Sequence, residues 1–416
     1  MSLKRGVALS FADQALLSAT NFLVGLFVLR HVPKSAYGEY VFACAVLLFL
    51  AGVQNALAIA PLTVLAPGKG KEDAAFRSAL ASGQLLLLLP FSFLFLLLGW
   101  GGGYFDLFSK GMATILLVTG IAAPGILLRE LVRGMLFQRL QVGAALIGDL
   151  VATLLQAGGL LAAGQILPDQ LHRWAILVTG GAALVAGALF AIPAGAQACR
   201  HWGEIMAAQY EAWQHGRWAL GGVVITWLQD QSYIYLLTFL LGAAGTAEAS
   251  AARLFLSPAS LVIASFGRVL LPTLARLHHE RQRHQLCRVA GKGLLIVAVT
   301  VGCYVLAIAA TADHLAAAFL PASYGGLRWM VLLWGACTLV QVFRSHLSWL
   351  LQASRSFRPI TIANALSTVV TLLSGTLLIS RYGPAGGVVA LIVGELVLTG
   401  LLWRVERKGA DGDAID

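Results

Sequence analysis

The chain has 416 residues, 58% of them hydrophobic and only 12% charged, with a formal net charge of +10. Soluble domains carry about 45–50% apolar and about 25% charged residues, so a water-soluble fold has nowhere to hide this much apolar surface. A mean hydropathy of +0.80 makes the same point, and disorder, a nucleic-acid-binding domain and a secreted disulfide scaffold are excluded.

A membrane-spanning helix needs about 20 apolar residues. In chain order the runs that meet this length fall at 7–30, 39–65, 76–99, 111–128, 142–164 and 174–196. After a polar interval come 218–242, 250–271, 290–310, 330–351, 359–380 and 385–403. The first run follows Lys4 and Arg5 as a signal peptide would, but it carries Asp13, Gln14, Thr20 and Asn21. It is also longer than the apolar region of a signal peptide, and it reads as a retained helix. The predicted architecture is all-α: a polytopic membrane protein with twelve transmembrane helices in two six-helix lobes, 1–196 and 218–403. A cytoplasmic interfacial linker, 197–217, joins the lobes, and 404–416 form a cytoplasmic tail. In the linker Trp202, Ile205, Met206 and Trp213 recur at helical spacing. That pattern predicts an amphipathic helix lying in the interface, an ordinary linker being the alternative.

With the N-terminus inside, 20 of the 29 lysines and arginines fall on the inner side and 7 on the outer, leaving Arg268 and Arg344 within spans. Basic residues collect on the cytoplasmic side of membrane proteins, which predicts that both termini are cytoplasmic. The basic excess then faces anionic headgroups, and nucleic acid is not an expected partner. The two halves also align. A shift of 217 places Asp13-Gln14 on Asp230-Gln231, one of 211 places Pro61 on Pro272, and one of 215 places Arg129 on Arg344 and Asp149 on Asn364. These matches predict a parallel pseudo-repeat, chance similarity of apolar helices being the alternative.

An ionised side chain at the centre of a spanning helix costs about 2.5–3.5 kcal/mol on insertion scales, so such residues mark cavities or partners. Arg30 and Arg253 are placed near outer ends, Arg268 and Arg344 in the inner half and Arg129 at an inner end. Guanidinium groups stay charged and grip phosphate oxygens through two parallel hydrogen bonds. Together these five predict a cationic cavity for a bulky anion; a snorkelling residue or an ion-pair partner is the alternative at each. Asp13, Asp230 and Glu395 are candidates for ion coupling, since burial favours the protonated carboxyl. Asp149 is expected to form an interhelical salt bridge. Gln14, Asn21, Asn55 and Gln231 are candidate polar lining.

The five cysteines, Cys44, Cys199, Cys287, Cys303 and Cys337, are scattered singly. With no CxxC pair, no local metal site is expected. No phosphate-binding GxxxxGK[ST] loop and no nucleophile beside a base can be picked out, so no catalytic residue, cofactor or enzymatic activity is expected. The segment 66–73 lacks the D-R-x-G-R pattern of major-facilitator proteins.

Three features look familiar: the opening Ala12-Asp13-Gln14 with Asn21-Phe22, the outer turn with Tyr37-Gly38-Glu39-Tyr40, and Arg133-Gly134 through Arg139 after the fourth span. They resemble the polysaccharide-transport (Wzx-type flippase) branch of the multidrug/oligosaccharidyl-lipid/polysaccharide exporter superfamily, over nearly the whole chain in helix count and half-repeat. The resemblance implies two six-helix lobes with a cationic lumen. It also implies a flippase that carries undecaprenyl-diphosphate-linked oligosaccharide across the bacterial inner membrane, for export of O-antigen, capsule or exopolysaccharide. Expected partners are the lipid-linked oligosaccharide, membrane lipids and a polysaccharide polymerase or other synthesis-complex protein. The alternatives are a drug/cation antiporter of the same fold, like the multidrug (MATE) branch, and a non-transporting subunit of a polysaccharide-synthesis complex.

Overall fold

The computed structural model describes residues 3–66, 73–195, 199–321, 324, 326–354 and 356–412. Most of segment 66–73, residues 197–198 of the expected linker and 413–416 of the expected tail lie outside these. The helices are α1 (Leu3–His31), α2 (Lys34–Gln54), α3 (Ala60–Leu65), α4 (Asp73–Tyr104), α5 (Lys110–Gln138) and α6 (Val142–Ile166). They continue as α7 (Leu171–Ala194), α8 (Trp202–Leu241), α9 (Ala243–His279), α10 (Arg283–Phe319), α11 (Leu327–Ala353) and α12 (Phe357–Gly412). Hydrocarbon offers no partner for backbone N–H and C=O groups, so a chain this apolar must close its hydrogen bonds within helices.

Proline interrupts that ladder inside α4 (Pro90), α5 (Pro124), α7 (Pro193), α9 (Pro258, Pro272) and α12 (Pro384). Partners compensate where the chain turns. Arg139 donates to the Pro193 carbonyl at 2.8 Å, one residue before α7 ends and two before Gly195 caps it in the left-handed conformation, φ 81°. Between α2 and α3, Asn55–Ile59 form a single π-helical turn just before Pro61.

Ten helices among the described residues are long and apolar enough to cross a membrane, against the twelve expected. One difference lies in α12, whose 56 residues would measure about 84 Å at 1.5 Å each, far more than the ~30 Å hydrocarbon core. Within it Gly383 leaves the helical conformation (φ 61°, ψ −141°) ahead of Pro384, so the expected runs 359–380 and 385–403 are two helices that meet at a kink and count as one among the ten. The other difference is α8. Its polar triplet Gln229-Asp230-Gln231 takes the run 218–242 below the hydropathy of the other spans. Residues 202–217 of the expected linker are the first part of this same 40-residue helix.

The chain divides into two compact units, Met1–Val224 and Ile225–Asp416, with the division inside α8. In the first unit α5 is central, packed on α4 and α7. A Cβ on Gly180 would strike the backbone of Ala122, and one on Gly125 the Gly180 carbonyl. The two helices therefore cross backbone to backbone, the small-residue contact by which membrane helices gain dispersion energy. A core of Leu62, Phe76, Leu80, Leu131, Met135 and Ala212 closes one end of this unit. The start of α8 is amphipathic in an unexpected sense: Ile205, Ala208 and Ala212 are buried, while Trp202, Met206, Tyr210 and Trp213 are exposed. Ile205 thus leaves the face on which the sequence placed it. In the second unit α11 packs on α9, α10 and α12, around Leu270, Leu274, Leu351 and Leu398.

Candidate functional site

In the first unit the sequence places Arg129 and Arg133 four residues apart on α5, hence on one helix face. Both reach Asp149 on α6. Arg129 donates from Nε (2.9 Å) and Nη2 (2.5 Å) to Oδ1, and Arg133 donates from Nε to Oδ2 at 2.8 Å. Arg133 extends the chain of charge to α1, donating from Nη2 to Asp13 Oδ2 at 2.6 Å. Glu130 stands 4.0 Å from the same guanidinium. Asp13 is 0% exposed and Asp149 2%, so α1, α5 and α6 are tied by two buried carboxylates and two arginines. Asp149 takes the interhelical salt-bridge role expected of it. The Oδ1 oxygen of Asp13 is buried without a hydrogen-bond partner; every other carboxylate oxygen of the two aspartates is engaged.

Two expected site residues, Asp13 and Arg129, are thus joined in one network, and each is already matched by opposite charge. Arg133, which bridges them, enters the sequence reading only as part of the Arg133-Gly134 to Arg139 feature and not as a candidate site residue, although its i+4 spacing from Arg129 is a signal for it. The other candidates of this unit lie elsewhere. Gln14 is half-buried, Asn21 is exposed, and Asn55 is exposed in the π-helical turn. Arg30 is exposed in the last turn of α1, where a cation complements the helix dipole. In the Tyr37-Gly38-Glu39-Tyr40 motif, Glu39 Oε2 lies 3.3 Å from His172 Nε2 on α7.

In the second unit Arg344 on α11 places Nε 2.9 Å from Glu395 Oε2 on α12. Gln341 donates to the other carboxylate oxygen, Oε1, at 3.1 Å. Glu395 is 2% exposed. At the positions paired by the expected repeat, the second unit therefore carries the arginine but not its acid. Asn364, which aligns with Asp149, spends its amide on the Ile360 carbonyl of its own helix at 2.8 Å, and the counter-charge arrives from the far arm of α12.

Arg253 is held differently. It sits ten residues along α9, about 15 Å from the helix start, and donates to Gln231 Oε1 and Tyr233 Oη at 3.1 Å each. The Asp230 backbone carbonyl lies at 3.5 Å. Its guanidinium carbon lies 5.3 Å from the Tyr233 ring centroid and 5.1 Å from that of Trp334. Those rings pack edge to face at 5.1 Å, and Trp334 is pinned by donating to the Ala249 carbonyl at 2.8 Å. Among the described residues no carboxylate oxygen lies within ion-pair distance of Arg253. Asp230, half-buried, exerts charge attraction on Arg253 and Arg344 alike, so Asp230, Gln231, Arg253, Arg344 and Glu395 share one neighbourhood. Arg268 is exposed on α9 and makes no hydrogen bond or ion pair among the described residues.

The arginines therefore fall into classes that composition alone does not distinguish. Arg129 and Arg344 are ion-paired, Arg253 is stacked on aromatic faces and bonded to neutral acceptors, and Arg30 and Arg268 are exposed. A paired guanidinium has less attraction left for an anion than one held by rings and neutral oxygens.

No protein-family model matches the chain, and no curated protein matches it in sequence. Solved structures do match its fold. An inward-facing multidrug-resistance MATE transporter of the MOP superfamily is 14% identical with a TM-score of 0.71, covering 94% of each chain. The lipid II flippase MurJ in an inward closed conformation is 14% identical with a TM-score of 0.73, covering 97% of this chain and 87% of its own. A MOP-superfamily transporter from Pyrococcus furiosus, whose reversed binding-pocket polarity suggests a different function for it, is 14% identical with a TM-score of 0.63, covering 96% of this chain and 93% of its own. The fold is that of the MATE and MurJ transporters, nearly all-helical and membrane-spanning.

Proposed function

We propose that the chain is a flippase of the bacterial inner membrane, its termini cytoplasmic, which moves an undecaprenyl-diphosphate-linked oligosaccharide from the cytoplasmic to the periplasmic leaflet by alternating access. Arg253 carries this reading. Among the described residues its guanidinium has no carboxylate oxygen within ion-pair distance, Asp230 attracting it only from farther off, and Gln231, Tyr233 and Trp334 hold it in place. A preorganised guanidinium without a direct ion pair suits a diphosphate, whose oxygens accept two parallel N–H bonds. Exposed Arg30 and Arg268 are suited to capture or release. The paired Arg129 and Arg344 hold helices together and reach an anion only if their acids let go. The likeness in fold to a lipid flippase supports the same reading. With the inside negative, two phosphate charges crossing 100 mV outward gain roughly 4.6 kcal/mol, enough to bias the direction of transport.

The test is export complementation in cells lacking the protein. A charge-assisted hydrogen bond is worth about 1.5–3 kcal/mol, so Arg253→Glu should lower export by at least about tenfold and accumulate lipid-linked glycan in the inner leaflet. Arg253→Lys keeps the charge, loses the fork, and should fall between. Wild-type export by a stably folded Arg253→Glu protein would refute the assignment.

A drug/cation antiporter is the second reading, favoured by the unpartnered Oδ1 of Asp13, a place where a proton can sit, and by the likeness to the MATE transporter. Dye efflux lost in Asp13→Asn with glycan export intact would establish it.

A further inference from the structure

Cys199 has no second cysteine nearby, and on that ground the sequence predicts no metal site. The fold supplies other donors. The chain reads Cys199-Arg200-His201-Trp202-Gly203-Glu204, and the Cys199 thiol, the His201 imidazole and the Glu204 carboxylate each place a donor atom within 4.8 Å of the other two. The sulfur lies 3.5 Å from Glu204 Oε2. We infer that these three side chains form a binding site for a transition-metal ion of the zinc class, at the junction of α4 and α8.

The donor set fits that class. Thiolate, imidazole and carboxylate are the ligand types that tetrahedral Zn²⁺ takes, and three protein ligands leave a fourth position for water. An ionised thiol, an ionised carboxylate and a neutral imidazole balance a divalent ion, and loading the site releases the thiol proton to solvent. The surroundings hold the donors in place. The Cys199 amide donates to Ser82 Oγ on α4 at 2.9 Å. The His201 carbonyl accepts the Glu204 and Ile205 amides, each at 3.1 Å, so His201 caps the helix whose first turn presents Glu204. Two residues of α4 grip the next turn: Gln209 donates to the Leu80 carbonyl, and Gln84 donates to Gln209, both at 2.9 Å. Ligands from the segment before α8 and from its first turn would thus be joined beside an existing α4–α8 clamp. Cys199 is half-buried and His201 and Glu204 are exposed, so an ion can reach the site from water. The inference is independent of the flippase reading.

The experiment titrates Co²⁺, a Zn²⁺ surrogate with visible absorption, into the full-length chain purified in detergent and stripped of metal. One equivalent should bind, with a thiolate-to-cobalt charge-transfer band. Cys199→Ser should abolish the band, and His201→Ala and Glu204→Gln should each weaken binding by at least about tenfold, the cost expected for an outer ligand partner alone. Cys287→Ser, on the exposed part of α10, should change nothing. Because a variant can misfold, the wild type supplies a second measure: Zn²⁺ should slow maleimide labelling of Cys199, read by peptide mass. No charge-transfer band in the wild type, a band surviving Cys199→Ser, or equal labelling rates with and without Zn²⁺ would each overturn the site.

Discussion

Removing Arg133 exposes the energetics of the buried charge network. Arg133→Gln takes away the bond to Asp13 Oδ2 and one of the bonds to Asp149, formed at 2.6 and 2.8 Å. Asp13, 0% exposed, is then left with no partner on either oxygen. Two charge-assisted bonds at about 1.5–3 kcal/mol each suggest a loss of roughly 3–6 kcal/mol, in line with about 3–5 kcal/mol for breaking a buried pair. Arg129→Gln should cost less, because both of its bonds go to one oxygen of Asp149 and Arg133 still holds the other. Asp13→Asn removes the stranded charge, so the double variant should regain most of the stability lost by Arg133→Gln. Thermal unfolding of the purified protein, run as a double-mutant cycle, reads all of this. Additive effects of the two substitutions, or an Arg129 variant less stable than the Arg133 variant, would refute the network as described.

The second unit gives a parallel case. Arg344→Gln should strand the buried Glu395 at a cost of about 3–5 kcal/mol, and Glu395→Gln on top should restore the melting temperature; failure of that rescue would mean the pair, 2.9 Å apart, does not hold α11 to α12. At the α5–α7 crossing, Gly180→Val forces a side chain into the Ala122 backbone and should lower stability by about 1–3 kcal/mol, while Gly181→Val, which meets open space, should cost far less in the same melt.

The spanning helices are legible in the sequence because hydrocarbon admits few other backbone solutions, and runs of apolar residues announce them. The count is harder to read where one residue decides it. At Gly383 two helices meet with no intervening loop, so two expected spans run on as one element. Conversely, Gln229-Asp230-Gln231 lowers the hydropathy of a stretch that α8 nonetheless carries through as helix. The site was legible as a set of residue types, not as pairings. Arg129 and Arg344 align at an offset of 215, yet one is matched by the next helix and the other by the far arm of α12, and no spacing reveals which. Arg133 carried a periodic signal, four residues from Arg129, but lay near enough to the expected inner loop to pass as a surface charge. The Cys199 cluster was hidden because its partners are a histidine and a glutamate around a helix start, not a second cysteine.

The continuity of α8 across the division between Val224 and Ile225 makes angular phase a heritable constraint on this chain. One hydrogen-bonded ladder serves both units, so a single codon inserted at that point would swing everything downstream by about 100° and advance it 1.5 Å. Four codons, by contrast, would nearly restore the facing while lengthening the rod by about 6 Å. Length variation at this junction is therefore expected to come in whole turns.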